Sequence, residues 1–183
     1  MKILGIDPGL RKTGWGLVVW KNNSFSYIND GFFFQNDELD LGQKLMRIFD
    51  GLSFLIKKTK PDLIGIEQTF VGSGNVSSLK LGMARGICIL TAAKLGVKTL
   101  EIQPKLVKKN ITGSGVASKD QVNLMVKNIL NIAPKSEDSS DALAVAMSIQ
   151  SKSIGKLDNG EYSSKLDQAI ANALEKEKVN MQK

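Results

Sequence analysis

Residues 3–7 (ILGID) and residues 63–67 (LIGIE) carry the same pattern, an apolar run with a central glycine that ends in an acid. Side chains alternate along a β-strand, so each glycine lies on the same face as the acid two positions later. The glycine leaves room on that face for another element to approach. A single acid at a strand end is usually only the start of a turn. If these two strands are neighbours, however, the carboxylates of Asp7 and Glu67 converge at one edge of a sheet.

Hydrophobic periodicity predicts the other elements. The predicted strands are 2–7, 13–20, 24–34, 63–67 and 98–102. The predicted helices are 41–58, 76–95 (apolar stripe at Leu79, Met83, Ile87 and Leu90), one capped by Ser118, and 136–149. The basic segment 105–115 is interpreted as ending in a mobile loop. Three strands followed by helices that alternate with two further strands predict an α/β fold: a mixed five-stranded sheet flanked by helices, in the order of the RNase H-like architecture.

A second acidic pattern opens the last predicted helix, in residues 137–144 (EDSSDALA). Asp138 and Asp141 are three positions apart and therefore share one face of the first turn. The spacing also fits a capping arrangement, with Asp138 near the N-cap and Asp141 near the third position. The alanines that follow favour the other interpretation. They allow the helix to pack closely on the sheet, opposite the two strand glycines, where its acids meet Asp7 and Glu67.

Four carboxylates within a few ångströms cannot all remain ionised without a compensating charge. Divalent cations supply that charge, and magnesium prefers carboxylates and water as ligands. Two such ions about 4 Å apart would stabilise the attacking and leaving oxygens of a phosphodiester displacement. The sequence has no histidine, which excludes histidine-based acid–base catalysis, Ser-His-Asp triads and the usual zinc ligand sets. We therefore expect a hard cation held by oxygen ligands.

Length and charge set the broader expectations. The 183 residues suit one compact domain, placed at 1–155, followed by a polar, weakly helical tail at 156–183. A net charge of +7 favours a polyanionic partner such as nucleic acid. No apolar run is long enough to span a membrane, and the N-terminal run ends too early for a signal peptide, so we expect a cytoplasmic protein. The single cysteine, Cys88, is expected to be buried.

Four segments, in order, resemble the RuvC family of bacterial Holliday junction resolvases. They are GIDPGLRKTGWGLV at 5–18, IEQTFVGSGNVSSLKLGMARG at 66–86, ASKDQV at 117–122 and DSSDALAVA at 138–146. Each segment alone is weak, since openings of the Asp-x-Gly kind also occur in sugar kinases and Hsp70-like ATPases. Together they are highly specific, and the match is spread over residues 1 to about 152.

The resemblance implies a crossover junction endodeoxyribonuclease with an RNase H-like fold. It implies a homodimer that makes paired cuts on strands of like polarity, with four-way junction DNA as substrate and the Ruv branch-migration motor as a partner. It implies Mg²⁺ cofactors, with Mn²⁺ as a substitute, on the carboxylates of Asp7, Glu67, Asp138 and Asp141. Residues that match the family's DNA-contacting positions are Phe70, Lys119 and Lys108, with Lys109 as an equal alternative to Lys108.

Position in the sequence adds to two of these assignments. Lys119 opens the helix after the basic segment, which would place its ammonium group on a rigid element, although a solvated lysine in a first turn is the alternative. Phe70 lies between Glu67 and a Gly-Ser segment that has little apolar surface to cover a ring, which favours stacking on an unpaired base over a place in the core.

Three other classes of protein fit the sequence less well. Relatives of the YqgF type share the fold and act in RNA processing, but they lack the MARG helix segment at 83–86. An actin-like ATPase needs two copies of the fold, which the length forbids. A non-catalytic junction-binding module would have lost its acids, and all four are present.

Overall fold

The computed structural model describes residues 1–68 and 76–149. Its strands are β1 (Lys2–Asp7), β2 (Lys12–Lys21), β3 (Ser24–Phe34), β4 (Leu63–Glu67) and β5 (Thr99–Ile102). Its helices are α1 (Leu41–Thr59), α2 (Val76–Lys94), α3 (Pro104–Thr112), α4 (Lys119–Leu130) and α5 (Glu137–Ser148). Within the described ranges, no helix is long and apolar enough to cross a membrane.

The five strands form one sheet in the order β3-β2-β1-β4-β5. The first three strands are antiparallel neighbours, whereas β4 and β5 run parallel to β1. Gly5 is paired with Gly65 across the β1–β4 ladder, so the two predicted strands are indeed adjacent and their terminal acids lie at the same edge. The predicted mixed five-stranded sheet is therefore confirmed.

Glycines on one face of the sheet allow α5 to approach the strands very closely. A Cβ at Gly5 would lie 2.0 Å from the carbonyl oxygen of Ala142, and a Cβ at Gly14 would lie 2.1 Å from that of Asp138. Side chains at these two positions would collide with helix backbone, which has no room to move. The close helix–sheet packing predicted from the alanines is confirmed, although Gly65 faces the side chain of Ile149 instead of an alanine.

The opposite face of the sheet is covered by α1 and α2. Buried side chains of α1, including Ile48 and Leu52, pack there with Leu4 and Ile6 of β1. α2 packs against this core through a face of small, buried side chains, those of Ala84, Cys88 and Ala92. Cys88 is buried as expected.

The predicted stripe of α2 is on the outside of the helix. Leu79, Met83 and Leu90 are exposed, while Ile87 is partly buried. The periodicity correctly identified a helix but gave no information on which face packs on the sheet, because the smaller residues of α2 fit the available space.

Most of the segment 105–115 is a helix that the sequence did not predict, and residues 113–115 follow it outside any helix or strand. Pro104 occupies the first turn of α3, where its missing N–H costs nothing, and Gly113 ends the helix in the left-handed conformation with φ 81°. Val107 and Ile111, four residues apart, bury one face of α3. The predicted cap of the next helix is confirmed, since the Ser118 side chain accepts a hydrogen bond from the Gln121 N–H.

The chain divides into two units, Met1–Ser151 and Lys152–Lys183. The second unit, and with it the predicted tail at 156–183, lies outside the described residues. The boundary at residue 155 stays a prediction.

Candidate active site

Asp7 and Glu67 end the adjacent strands β1 and β4, and their side chains are in direct contact. A side-chain hydrogen bond joins the two carboxyl groups, and it raises the pKa of Glu67 while it lowers that of Asp7. Burial, followed by the charges of Asp141 and Asp138, raises the pKa of Asp7 to about 7. Burial, followed by the charge of Asp7, raises the pKa of Glu67 to about 8. The pair therefore holds a proton near neutral pH, because two buried carboxylates in contact resist double ionisation.

Asp138 and Asp141 approach this pair from the start of α5. The N-cap of α5 is Ser136, whose hydroxyl accepts from the Ser139 N–H. Asp138 is therefore not the N-cap: it is the second residue of the helix and lies in the first turn, where its charge also favours the helix dipole. Burial raises the pKa of Asp141 as well, although the ammonium of Lys119 opposes the shift.

Lys119, at the start of α4, provides the positive charge on the Asp141 side of the cluster. Its Nζ lies 3.0 Å from Asp141 Oδ2 and 3.3 Å from Glu137 Oε2. The hydrogen bond to Asp141 raises the pKa of the Lys119 ammonium. The lysine thus remains charged at all physiological pH values, and it is held against an acid of the cluster on a helix that is fixed by its capping box.

Lys108 and Lys109, which are adjacent on α3, line different cavities. Lys108 lines an open cleft of about 230 Å³ together with Glu67, Lys119 and Asp141. Lys109 lines a separate cavity, with Lys105 and the residues that follow the helix. Geometry therefore favours Lys108 as the lysine that faces the acids, a choice that the sequence left open.

Lys12 provides a matching charge on the Asp138 side, and sequence reasoning missed it. Its Nζ lies 3.7 Å from Asp138 Oδ2. Lys12 begins β2, which runs antiparallel to β1, so the two strands bring it back to the end of β1 where the acids lie. The nearest signal in the sequence is the tight turn at residues 8–11, which forces β2 to start beside Asp7.

Asp30 is a second residue that sequence reasoning missed. Its side chain is buried in β3 and accepts hydrogen bonds from the Tyr27 hydroxyl at 2.5 Å, the Ser139 hydroxyl at 2.5 Å and the Lys135 N–H at 2.8 Å. The last two donors lie at the beginning of α5, so this carboxylate ties the helix that carries Asp138 and Asp141 to the sheet. Burial and the hydrogen bond to Asp30 raise the pKa of Tyr27 to about 12.

The acidic cluster suits a hard cation, because such cations prefer carboxylate oxygens as ligands. The converging side chains are carboxylates, and their charge is balanced here by a proton on the Asp7–Glu67 pair and by the ammonium groups of Lys119 and Lys12. Within residues 1–68 and 76–149, no three acidic, histidine or cysteine side chains are arranged so that they would hold an ion without rearrangement. The four-ligand metal site thus stays a prediction. Phe70 lies outside the described residues.

A sheet edge with converging carboxylates, flanked by lysines and built on this strand order, defines a class of protein: a nuclease of the RNase H-like fold. The profile described as crossover junction endodeoxyribonuclease RuvC matches residues 3–149. The chain belongs to the RuvC family.

Individual relatives agree with this assignment. The chain is 41% identical to the crossover junction endodeoxyribonuclease RuvC of Rhizobium etli over 148 residues, which cover 80% of this chain and 88% of that protein. The RuvC of Bradyrhizobium diazoefficiens is 42% identical over 148 residues, with 80% and 85% covered. Thermus thermophilus RuvC in complex with a Holliday junction substrate superposes with a TM-score of 0.79 at 27% identity, covering 85% of this chain and 96% of that one. The yeast mitochondrial Holliday junction resolvase Ydc2 shares the fold, with a TM-score of 0.59 at 15% identity over 84% and 80% of the two chains.

Proposed function

We propose that this chain resolves Holliday junctions by paired, magnesium-dependent hydrolysis of phosphodiester bonds, in homologous recombination and DNA repair. Membership of the RuvC family supports the activity, and the complex of the Thermus thermophilus relative with a Holliday junction supports the substrate. The observation that carries the proposal is the cluster of carboxylates at the edge of the sheet, flanked by Lys119 and opening into a cleft.

The proposed ligands are Asp7, Glu67, Asp138 and Asp141. Mg²⁺ bound by these carboxylates would supply Lewis-acid stabilisation to the attacking and leaving oxygens of the phosphodiester. For the four acids to act together, the proton on the Asp7–Glu67 pair must leave, and the raised pKa values of both groups support a coupling of ion binding to proton release.

The lysines of the cleft have separate proposed roles. Lys119 would place its fixed ammonium where negative charge increases in the transition state, and its contact with Asp141 supports this role. Lys108, which lines the same cleft, would bind a phosphate of the cleaved strand, with Lys109 as the alternative. Phe70 would stack on an unpaired base near the scissile phosphate.

Two further proposals concern organisation. Residues 1–155 would form the nuclease domain and 156–183 a tail, which limited proteolysis would test. The Ruv branch-migration motor is proposed as a partner on the basis of family membership, and the cytoplasm as the location.

A homodimer is proposed to form through α2. Leu79, Met83 and Leu90 give the outer face of this helix an exposed apolar stripe. On the same helix, a Cβ at Gly82 or Gly86 would meet nothing within 4 Å, although a glycine inside a helix costs up to about 1 kcal/mol relative to alanine. Glycines beside an apolar stripe suit the close approach of a second helix.

The dimer proposal is tested by charge insertion. Leu90→Glu should turn the dimer into a monomer in sedimentation equilibrium, since it buries a charge in the interface. Leu124→Glu on α4 is the matched control, because both leucines are 57% exposed. A dimer that survives Leu90→Glu, or that is lost equally in Leu124→Glu, would contradict the assignment to α2.

The activity is tested by presenting the purified protein with three substrates in parallel: a mobile synthetic four-way junction, linear duplex DNA and structured RNA, each with and without Mg²⁺. We expect symmetric nicks in the junction alone, and only with the metal. Cleavage of RNA in preference to the junction would support a role in RNA processing, and metal-dependent binding without cleavage would identify a junction-binding module.

A further inference from the structure

Two phenylalanines at the end of β3 are exposed next to the acidic cluster. Phe32 is 41% exposed and Phe34 is 52% exposed. Both lie two residues apart on one strand and therefore on one face, roughly 7 Å from each other along the chain. Neither belongs to the two apolar cores that the described residues form, whereas Phe33 between them packs on the opposite face of the sheet.

Strand pairing fixes which face the two rings occupy. Phe32 is paired with Gly14, whose missing side chain is replaced by the backbone of Asp138. Phe34 is paired with Lys12, the residue whose ammonium reaches Asp138. Both rings therefore lie on the face of the sheet that carries α5, directly beside Asp138.

Lys12 connects the rings to the acids. Its Nζ lies 5.3 Å from the centre of the Phe32 ring and 3.7 Å from Asp138 Oδ2. The surface thus combines two flat apolar faces with a positive charge at the border of the cluster. Aromatic faces next to a cation are what proteins use to bind single-stranded nucleic acid, by stacking on bases and pairing with phosphates.

A substrate strand must continue beyond the scissile phosphate on both sides. The cleft with Lys119 and Lys108 lies on the Asp141 side, and the surface with Lys12 lies on the Asp138 side. This continuity with the cluster, together with the charge of Lys12, favours nucleobases over a protein partner as the occupant.

We propose that Phe32 and Phe34, with Lys12, form a stacking platform for unpaired nucleobases of the cleaved junction strand, on the Asp138 side of the acidic cluster. The inference rests on the proposed function and adds to it a second aromatic contact, from a different part of the sequence than Phe70. Bases at a junction crossover are partly unstacked and cost little to capture.

The test is the double variant Phe32→Ser/Phe34→Ser. Junctions carry the fluorescent base 2-aminopurine at each position flanking the cleavage site, and binding and single-turnover cleavage are measured. We expect junction affinity to fall by about ten-fold or more, the effect of losing base–aromatic stacking. We also expect the quenching of 2-aminopurine to disappear on one side of the cleavage site only. Phe32→Tyr/Phe34→Tyr should restore both signals, since it keeps the rings.

Phe54→Ser is the matched control. Phe54 is 67% exposed on α1, on the other side of the sheet, and Lys58 Nζ lies 5.7 Å from its ring centre. We expect this variant to bind and cut as the wild type does. Equal effects of Phe54→Ser and the double variant would overturn the platform, because general loss of apolar surface would then be the cause.

The remaining outcomes are also decisive. If wild-type protein cuts junctions and the double variant matches it in affinity and quenching, the platform is wrong while the proposed function stands. If the double variant changes the oligomeric state and leaves junction affinity unchanged, the surface is a protein interface and the platform is again wrong. Failure of the wild type to cut any junction would instead contradict the proposed function.

Discussion

The two flanks of the acidic cluster differ in shape and in chemistry. The Asp141 flank is a cleft that Lys119 and Lys108 line, while the Asp138 flank is an open strand surface with Lys12 and two exposed phenylalanines. Lysines in a cleft suit phosphates near the reacting bond, and exposed rings suit bases. The proposed roles follow this difference: the lysines of the cleft would assist the chemistry, and the strand surface would hold the bases.

The largest loss of cleavage is expected from substitutions in the acidic cluster, which lies between the two flanks. Asp7→Asn should lower single-turnover junction cleavage by about a thousand-fold, the upper end of the losses seen at other preorganised electrostatic sites. Binding should be unchanged or tighter, because a negative cluster repels phosphate. Glu67→Gln, Asp141→Asn and Asp138→Asn should behave likewise.

The control is Asp50→Asn on the exposed surface of α1, which changes the net charge equally and should cut normally. Asp138→Asn is informative because Ser136 already caps α5, so a loss of activity in this variant cannot come from a lost cap. Cleavage near the wild-type rate by any of the four amide variants would remove that acid from the site.

The next largest effects are expected at Lys119 and Lys12, and they should differ in kind. Lys119→Ala should lower the rate at saturating protein by about a hundred-fold, since it removes charge that stabilises the transition state. Lys12→Ala should act first on affinity and reduce the salt dependence of binding by about one unit. The test measures two quantities for both variants: the cleavage rate at saturating protein and the salt dependence of junction affinity. Equal losses of rate would mean that the flanks do not differ in role.

Phe70 gives a smaller expected effect. Phe70→Ala should reduce junction cleavage by about ten-fold or more, the range for loss of one stacked base. The melting temperature should change little. A core phenylalanine would instead cost about 3–5 kcal/mol of folding stability, so a large drop in melting temperature would assign the ring to the core.

The smallest effect concerns stability against pH. The raised pKa values of Asp7 and Glu67, about 7 and 8, mean that the folded protein binds more protons than the unfolded chain from about pH 4 upwards. The free energy of unfolding should therefore fall as pH rises through this window, up to the raised pKa values. Thermal melts of wild type and Glu67→Gln without metal should diverge between pH 5 and pH 8, with the variant more stable at high pH.

Mg²⁺ should reverse this loss. Because the ion competes with the proton for the carboxylates, it should raise the wild-type melting temperature more at pH 8 than at pH 6. Parallel melting curves for wild type and Glu67→Gln across pH would contradict the shared proton.

Much of the fold follows from local patterns. The apolar segments 3–7 and 63–67 predicted two buried strands. In the structure these strands are adjacent, which places Asp7 beside Glu67. The alanines after Asp141 correctly predicted close packing of α5 on the sheet. The strands and the close packing of α5 could be predicted because they depend on the spacing and the size of side chains, and both can be taken directly from the sequence.

Other features depended on the tertiary structure. The burial of α2 through Ala84, Cys88 and Ala92, the helical form of α3 and the position of Lys108 in the cleft with the acids required knowledge of which surfaces meet. The roles of Lys12 and Asp30 could not be predicted from the sequence for the same reason. Each gains its role from residues more than a hundred positions away, brought close by strand register and helix packing. The sequence by itself predicted the five strands, the acids at the ends of two of them and the family resemblance, whereas the order of the strands came from the structure. The tertiary structure decided which charges, rings and hydrogen bonds surround the acids, because such contacts arise between elements whose relative placement no local pattern encodes.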